Sequence, residues 1–225
     1  MFLALALAFG RWQTPATSSQ PRVSGTGTSY LSCTAWTGNG WTDPTARSSR
    51  TPLMESPKGF RAYAEVRAVV KDGSCENTTT LYVASGVGRT FRIVYTKTPS
   101  ASDGNGIRLI GWSPNGDKLL AEVNLWRYET DGGFGHVVLV YDASTEVAKE
   151  LLPEEILSRH FGPSCEFELA VESWRTDRQI LIKVSKSPES EAYEQHFCVK
   201  ATRKFVFDLQ KETVQTETRE RRKAD

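Results

Sequence analysis

The feature that most constrains this chain is that it repeats itself. Ser56-Pro57-Lys58-Gly59 returns as Ser113-Pro114-Asn115-Gly116, 57 residues on. Trp112, just ahead of the second copy, has a counterpart in Trp174, ahead of the weaker copy Arg175-Thr176-Asp177-Arg178. A second landmark advances independently at nearly the same step. Leu81-Tyr82-Val83-Ala84-Ser85 matches Val140-Tyr141-Asp142-Ala143-Ser144 and then Cys198-Val199-Lys200-Ala201-Thr202, with the alanines 59 and 58 residues apart. Self-similarity at a fixed period marks a fold that lays down one supersecondary unit several times, each copy burying its apolar face on the next.

The unit reads as four strands. In the second copy, Ile107 to Trp112 runs into the Ser-Pro-Asn-Gly turn, where Pro114 presets φ and Asn115-Gly116 tolerates positive φ. Lys118 to Tyr128 alternates, with Leu119, Ala121, Val123 and Leu125 on one face and Leu120, Glu122, Asn124 and Trp126 on the other. Asp131-Gly132-Gly133 turns, His136 to Tyr141 is the third strand, and Val147 to Leu152 the fourth. The first copy follows with Gly59 to Val70, Thr80 to Ala84 and Thr90 to Tyr95. The third has Cys165 to Val171 alternating, then Arg178 to Ser185, Glu194 to Ala201 and Lys204 to Leu209. One helix is expected over residues 153–161, with Pro153 in the first turn, Glu154 and Glu155 at its positive end and Gly162 beyond its end. The fold class is therefore all-β: three repeated four-stranded antiparallel meanders and one short helix.

Gly111-Trp112-Ser113-Pro114-Asn115-Gly116-Asp117-Lys118-Leu119 and, in part, Ser56-Pro57-Lys58-Gly59 resemble the propeller-blade repeats of the TolB-like (WD40-like) family, over about residues 52–209. The repeat-turn residues that carry the likeness are Ser56, Pro57, Gly59, Ser113, Pro114 and Gly116. The resemblance implies an exported scaffold that binds partners on its loop faces, or the accessory domain of a peptidase. Blades of such families run to about 40–45 residues, so the longer step here implies longer loops. Three blades do not close a ring. An incomplete or irregularly packed ring, a fragment, and a homodimer that completes six blades are the alternatives.

The two ends differ from the middle. Residues 1–10 are an apolar stretch with the character of a truncated signal peptide, and Ala8 and Gly10 suit a cleavage site before Arg11. Residues 11–51 are Ser/Thr/Gly-rich and partly flexible, yet hold Trp12, Trp36 and Trp41 and a strand beginning at Tyr30. Residues 210–225 carry five basic and four acidic side chains and read as a charged, solvated tail.

Four cysteines behind an export signal predict two disulfides among Cys33, Cys75, Cys165 and Cys198 and a secreted or periplasmic location. Nearest-neighbour pairing joins Cys33 to Cys75 and Cys165 to Cys198. The second bridge meets a geometric objection. With Cys165 near the start of a first strand and Cys198 near the end of a parallel third strand, about six residues or 20 Å separate them. The rival is zinc on His160, Cys165, His196 and Cys198, whose His-x-Cys spacing is uncommon in structural sites. No metal or cofactor is expected.

Catalytic patterns are missing: no Gly-x-Ser-x-Gly elbow, His-Glu-x-x-His pair or phosphate loop occurs. Gly86-Val87-Gly88-Arg89 joins two strands and reads as a hairpin turn. Asp103-Gly104-Asn105-Gly106 and Asp131-Gly132-Gly133 lack the further carboxylates of calcium loops. Glu166, Glu168 and Glu172 read as a solvated strand face, and His136 as a surface or edge residue. Asn77-Thr78-Thr79 is a glycosylation sequon. A formal charge of +1 argues against nucleic acid as partner, and no apolar run is long enough for a membrane span. The expected function is a non-enzymatic protein-interaction or scaffolding module with a protein partner; a peptidase accessory domain and a carbohydrate-binding module using exposed Trp are the alternatives.

Overall fold

The computed structural model describes residues 28–29, 46–72, 74–86, 88–98, 103–127, 133–162, 165–186 and 197–217. The two Ser-Pro-x-Gly turns form alike. Gly59 and Gly116 take φ of 81° and 76°, a region glycine enters without a Cβ penalty. Gly59 N–H donates to Ser56 O at 2.9 Å and Gly116 N–H to Ser113 O at 2.8 Å. Each serine hydroxyl accepts from the chain beyond the turn: Ser56 Oγ from Phe60 N–H at 3.0 Å, Ser113 Oγ from Lys118 N–H at 3.0 Å.

These turns organise three antiparallel sheets. The first holds β2 (Arg47–Arg50), β3 (Met54–Glu55), β4 (Arg61–Lys71), β5 (Ser74–Ala84) and β6 (Arg92–Lys97). β2 and β3 are one edge strand in two pieces, both paired to β4. Pro52, which has no N–H, falls in the gap, and Thr51 spans it, donating from N–H to Ala64 O at 2.9 Å and accepting Ala64 N–H on Oγ1 at 2.9 Å. The second sheet runs β1 (Thr28–Ser29), β7 (Asp103–Trp112), β8 (Lys118–Arg127), β9 (Gly133–Asp142), β10 (Val147–Leu151); the third runs β11 (Glu168–Thr176), β12 (Gln179–Ser185), β13 (Arg203–Asp208), β14 (Thr213–Thr216). Helix α1 (Pro153–Phe161) links the second sheet to the third, and Gly162 N–H closes it on Ser158 O. The fold is thus all-β, three blade-like meanders and a short helix.

The second sheet lies between the other two, and this explains its composition. Leu119, Ala121, Val123, Leu139 and Tyr141 pack on Ala62, Ala64, Val66 and Leu81 of the first sheet. Leu120, Val138, Val140 and Leu151 pack on Val171, Ile180, Ile182, Phe205 and Phe207 of the third, with Leu157 of α1. A strand covered on both faces reads as a continuous apolar run rather than an alternating one, as Val137 to Tyr141 does.

Successive repeats dock through the same three contacts. Near the inner strands, Trp112 Nε1 donates to Met54 O at 3.4 Å and Trp174 Nε1 to Gly111 O at 2.8 Å, spans of 58 and 63 residues. At the turns, Lys58 Nζ meets Asp117 Oδ1 at 2.6 Å and Asn115 N–H meets Asp177 Oδ1 at 2.7 Å. A Cβ at Gly116 would sit 3.1 Å from Lys58 N, a tight contact that, with its positive φ, favours glycine where the second turn nests on the first. Along the outer strands, Arg92 pairs with Glu146 and Lys149 with Glu212.

The third repeat departs from the sequence reading. β13 is its third strand, not its fourth, and the Ala201 landmark precedes β13 instead of closing a strand. Phe197 makes one isolated parallel bridge to Glu166. The fourth strand, β14, falls within the stretch expected as a solvated tail. The true counterpart of the Asp142-to-Glu146 hairpin is Asp208 to Glu212, 66 residues on. Both begin with an aspartate accepting N–H groups two or three residues ahead and end on a glutamate at positive φ, 58° and 50°. The extra length lies between β12 and β13. β5 is also longer than expected, and β2 draws residues 47–50 of the N-terminal segment into the first sheet. The apolar stretch at residues 1–10, the strand from Tyr30, Trp12, Trp36 and Trp41 lie outside the described residues.

Candidate functional site

The β9–β10 hairpin, the β11–β12 turn and the chain leaving β13 enclose a cleft of about 380 Å³ at the junction of the second and third sheets. Strand alternation supplies one wall: Val147, Lys149 and Leu151 of β10 face the cleft while Glu150 faces the first sheet, accepting from Tyr95 OH at 2.7 Å and Lys97 Nζ at 3.1 Å. Val140, Leu151 and Leu209 make the floor, Val147 stands 57% exposed at the lip, and Lys118, Lys149, Arg178, Asp142 and Asp177 surround it.

Both aspartates are engaged. Asp142 Oδ1 accepts from Ser144 N–H at 2.9 Å and from its hydroxyl at 2.6 Å, and Oδ2 lies 3.6 Å from Lys118 Nζ. Burial alone pushes this carboxyl up; the Ser144 bonds, Lys118 and the Thr145 N–H outweigh it and hold it below the usual carboxylate range. Asp177 Oδ1 accepts Asn115 N–H. Lys149 pairs with Glu212 at 2.7 Å. Arg178 forms no ion pair among the described residues; its Nη1 meets Gln210 Oε1 at 3.4 Å. The arrangement sets three cations and two carboxylates around an apolar floor.

A second polar cluster is buried between the same two sheets. Glu122 is only 4% exposed. Its Oε2 accepts from Arg108 Nε at 3.0 Å and Nη2 at 2.6 Å, and its Oε1 accepts Val171 N–H at 3.4 Å. Arg108 Nη2 also donates to Val171 O at 2.7 Å. The pair thereby satisfies the outward backbone of β11, an edge strand. His136, expected at an edge, has Nδ1 2.6 Å from Asn124 Oδ1 and 3.8 Å from Glu122 Oε1. Glu122 thus docks the third sheet on the second through Arg108 and the Val171 N–H.

Glu154 of α1 completes this cluster. Burial raises its carboxyl above the ordinary value, while the His136 side chain and backbone N–H oppose the rise and Glu122 adds to it. A carboxyl raised in the fold stabilises it fully below the unfolded value of about 4.3, and that stabilisation is lost as pH rises through the folded value. Glu154→Gln is therefore expected to match or exceed the parent in stability at pH 7, with a flatter profile above about pH 4 in urea titrations. A clear loss at pH 7 would mean that the His136 bond outweighs burial.

Several sequence expectations are corrected here. Cys165 and Cys198 form a disulfide with Cα atoms 5.0 Å apart, so their thiolates are not zinc ligands. The geometric objection fails because Cys198 precedes β13 instead of ending it, so both cysteines sit ahead of parallel strands, and Cys198 N–H donates to Glu166 O at 3.2 Å. His160 packs against Phe161 and Phe205. Cys75 is disulfide-bonded; Cys33 and His196 lie outside the described residues. Asp103 to Gly106 lie in β7, where buried Asn105 donates from Nδ2 to Asn77 O at 2.9 Å. The Asn77 sequon is buried in β5, where a glycan has no room. Gly86 and Arg89 lie between β5 and β6, as a hairpin turn requires. Of the three glutamates, Glu166 forms an isolated bridge to Phe197, Glu168 is exposed and Glu172 pairs with Lys204. Trp112 and Trp174 are committed to repeat docking. The cleft residues went unnoticed in the sequence because Lys149 comes from a strand of the second repeat while Arg178 and Leu209 come from turns of the third. No protein-family model, curated protein or solved structure matches this chain.

Proposed function

We propose that this chain is an exported, TolB-like β-repeat protein that acts as a non-enzymatic protein-interaction module. The observation that carries the reading is the cleft between the second and third sheets, an apolar floor ringed by charged side chains. Concave sites of this kind, apolar with a few placed polar groups, are where ligands bind. The Cys165–Cys198 disulfide supports an oxidising compartment, and the described residues contain no helix long and apolar enough to cross a membrane.

A single chain is the working unit in this reading. Glu55 stands where the docking tryptophan stands in the later repeats, so at that position the first repeat of a second copy offers no indole to the outer side of the third sheet. The test is panning a random-peptide display library on the folded, oxidised protein. An enriched consensus competed by soluble peptide is expected; no enrichment over the heat-unfolded chain would sink the interaction role.

A further inference from the structure

The chemistry of the cleft also indicates what fills it, and this step rests on the interaction reading. We propose that the cleft binds a peptide segment in which an apolar side chain is flanked by carboxylates. Three cations, Lys118, Lys149 and Arg178, face the opening. Asp142 pairs with Lys118 at 3.6 Å, Lys149 pairs with Glu212 at 2.7 Å and Asp177 accepts the Asn115 N–H, so Arg178 is the cation left at the mouth without an ion pair among the described residues.

Arg178 is the recognition residue. Among the described residues it has no carboxylate partner, and its one side-chain bond is a 3.4 Å contact to the neutral amide of Gln210. A guanidinium presents a planar fork of N–H donors that matches a carboxylate through two parallel bonds. Lys149 supplies a second charge by exchange. Its pair with Glu212 joins side chains 61% and 50% exposed, and such pairs contribute little, so an incoming carboxylate replaces Glu212 at small cost. Between these charges Val140, Leu151 and Leu209 line the floor and Val147 stands exposed at the lip. A volume of about 380 Å³ holds one large apolar side chain with its neighbouring backbone, near the low end of ligand pockets.

The test is fluorescence anisotropy with three synthetic peptide pools on the oxidised full chain. One pool mixes Asp/Glu with Leu/Ile/Val/Phe, one mixes Lys/Arg with the same apolar residues, and one mixes Asp/Glu with Ser. The acidic–apolar pool is expected to bind at least about tenfold more tightly than either control, and more weakly as salt is raised. Arg178→Ala is expected to weaken that binding about tenfold, the loss of one charge-assisted pair. Glu212→Gln, which releases Lys149, is expected to tighten it severalfold. Both side chains are on the surface, and unchanged thermal unfolding confirms that the variants fold. Equal binding of the acidic and basic pools, or an Arg178→Ala variant that binds like the parent, overturns the proposal. A display consensus unaffected by both substitutions would leave the interaction role standing and remove the cleft from it; absence of any consensus would remove the role itself.

Discussion

Replacing Glu122 with alanine is expected to destabilise the fold by about 3 kcal/mol or more, because cutting one member of a buried ion pair strands the other. Arg108 would keep its bond to Val171 O but lose its carboxylate, and Val171 N–H would lose its acceptor. Arg108 retains some contact with water, its side chain being 27% exposed, which places the cost toward the lower end of the usual range. The loss is directional: it loosens the third sheet from the second, so limited proteolysis should open the third repeat first. The double variant Arg108→Met, Glu122→Leu refines the test. An apolar pair of similar volume commonly replaces a buried ion pair without loss, but here the N–H and C=O of Val171 would both go unsatisfied, at about 1–3 kcal/mol each. Incomplete recovery in urea titrations is therefore expected. If Glu122→Ala loses less than about 1 kcal/mol, the pair does not hold the sheets together.

Removing the Cys165–Cys198 bridge is expected to cost a further large amount. The two cysteines close a loop with a sequence separation of 33, for which chain entropy gives about 3–4 kcal/mol. The bridge sits ahead of β11 and β13, two strands of one sheet that do not pair with each other. Beside it α1 packs through Phe161 on Phe167 and Phe205. A Cys165→Ala, Cys198→Ala chain should melt well below the parent, and mild reduction should shift the parent toward it. Coincident denaturation midpoints would show that β12–β14 hold the repeat without the bridge. A reduced parent that stays high while the variant falls would locate the loss in packing around the alanines.

How much of this was legible in the sequence varies by repeat. The second repeat was read strand for strand, because both its turn chemistry and its alternation are local. Leu119, Ala121 and Val123 do share a face, and Leu120 and Glu122 the other. What local alternation cannot tell is whether the second face meets water or another sheet, so nothing in the pattern marked Glu122 as buried, which it is. In the first repeat the polar run Glu76 to Thr79 gave no strand signal. It is a strand because β4 and β6 pair with β5 and because the second sheet covers Asn77 and Thr79. In the third repeat the alanine landmark pointed to the wrong strand, since insertion between β12 and β13 shifted the step from about 58 residues to 66.

The sequence by itself determined that the chain is all-β, where its tight turns and its helix fall, and that one unit recurs three times. These follow from backbone preferences and two-residue periodicity, which act over a few residues. Only the tertiary structure decided that Cys165 joins Cys198, that the Arg108–Glu122 pair docks the edge of β11, and that a cleft ringed by charged side chains forms from two repeats. Each of those depends on which sheet faces meet and at what offset. That choice is made by apolar surfaces far apart in the chain, and no short stretch of residues contains it.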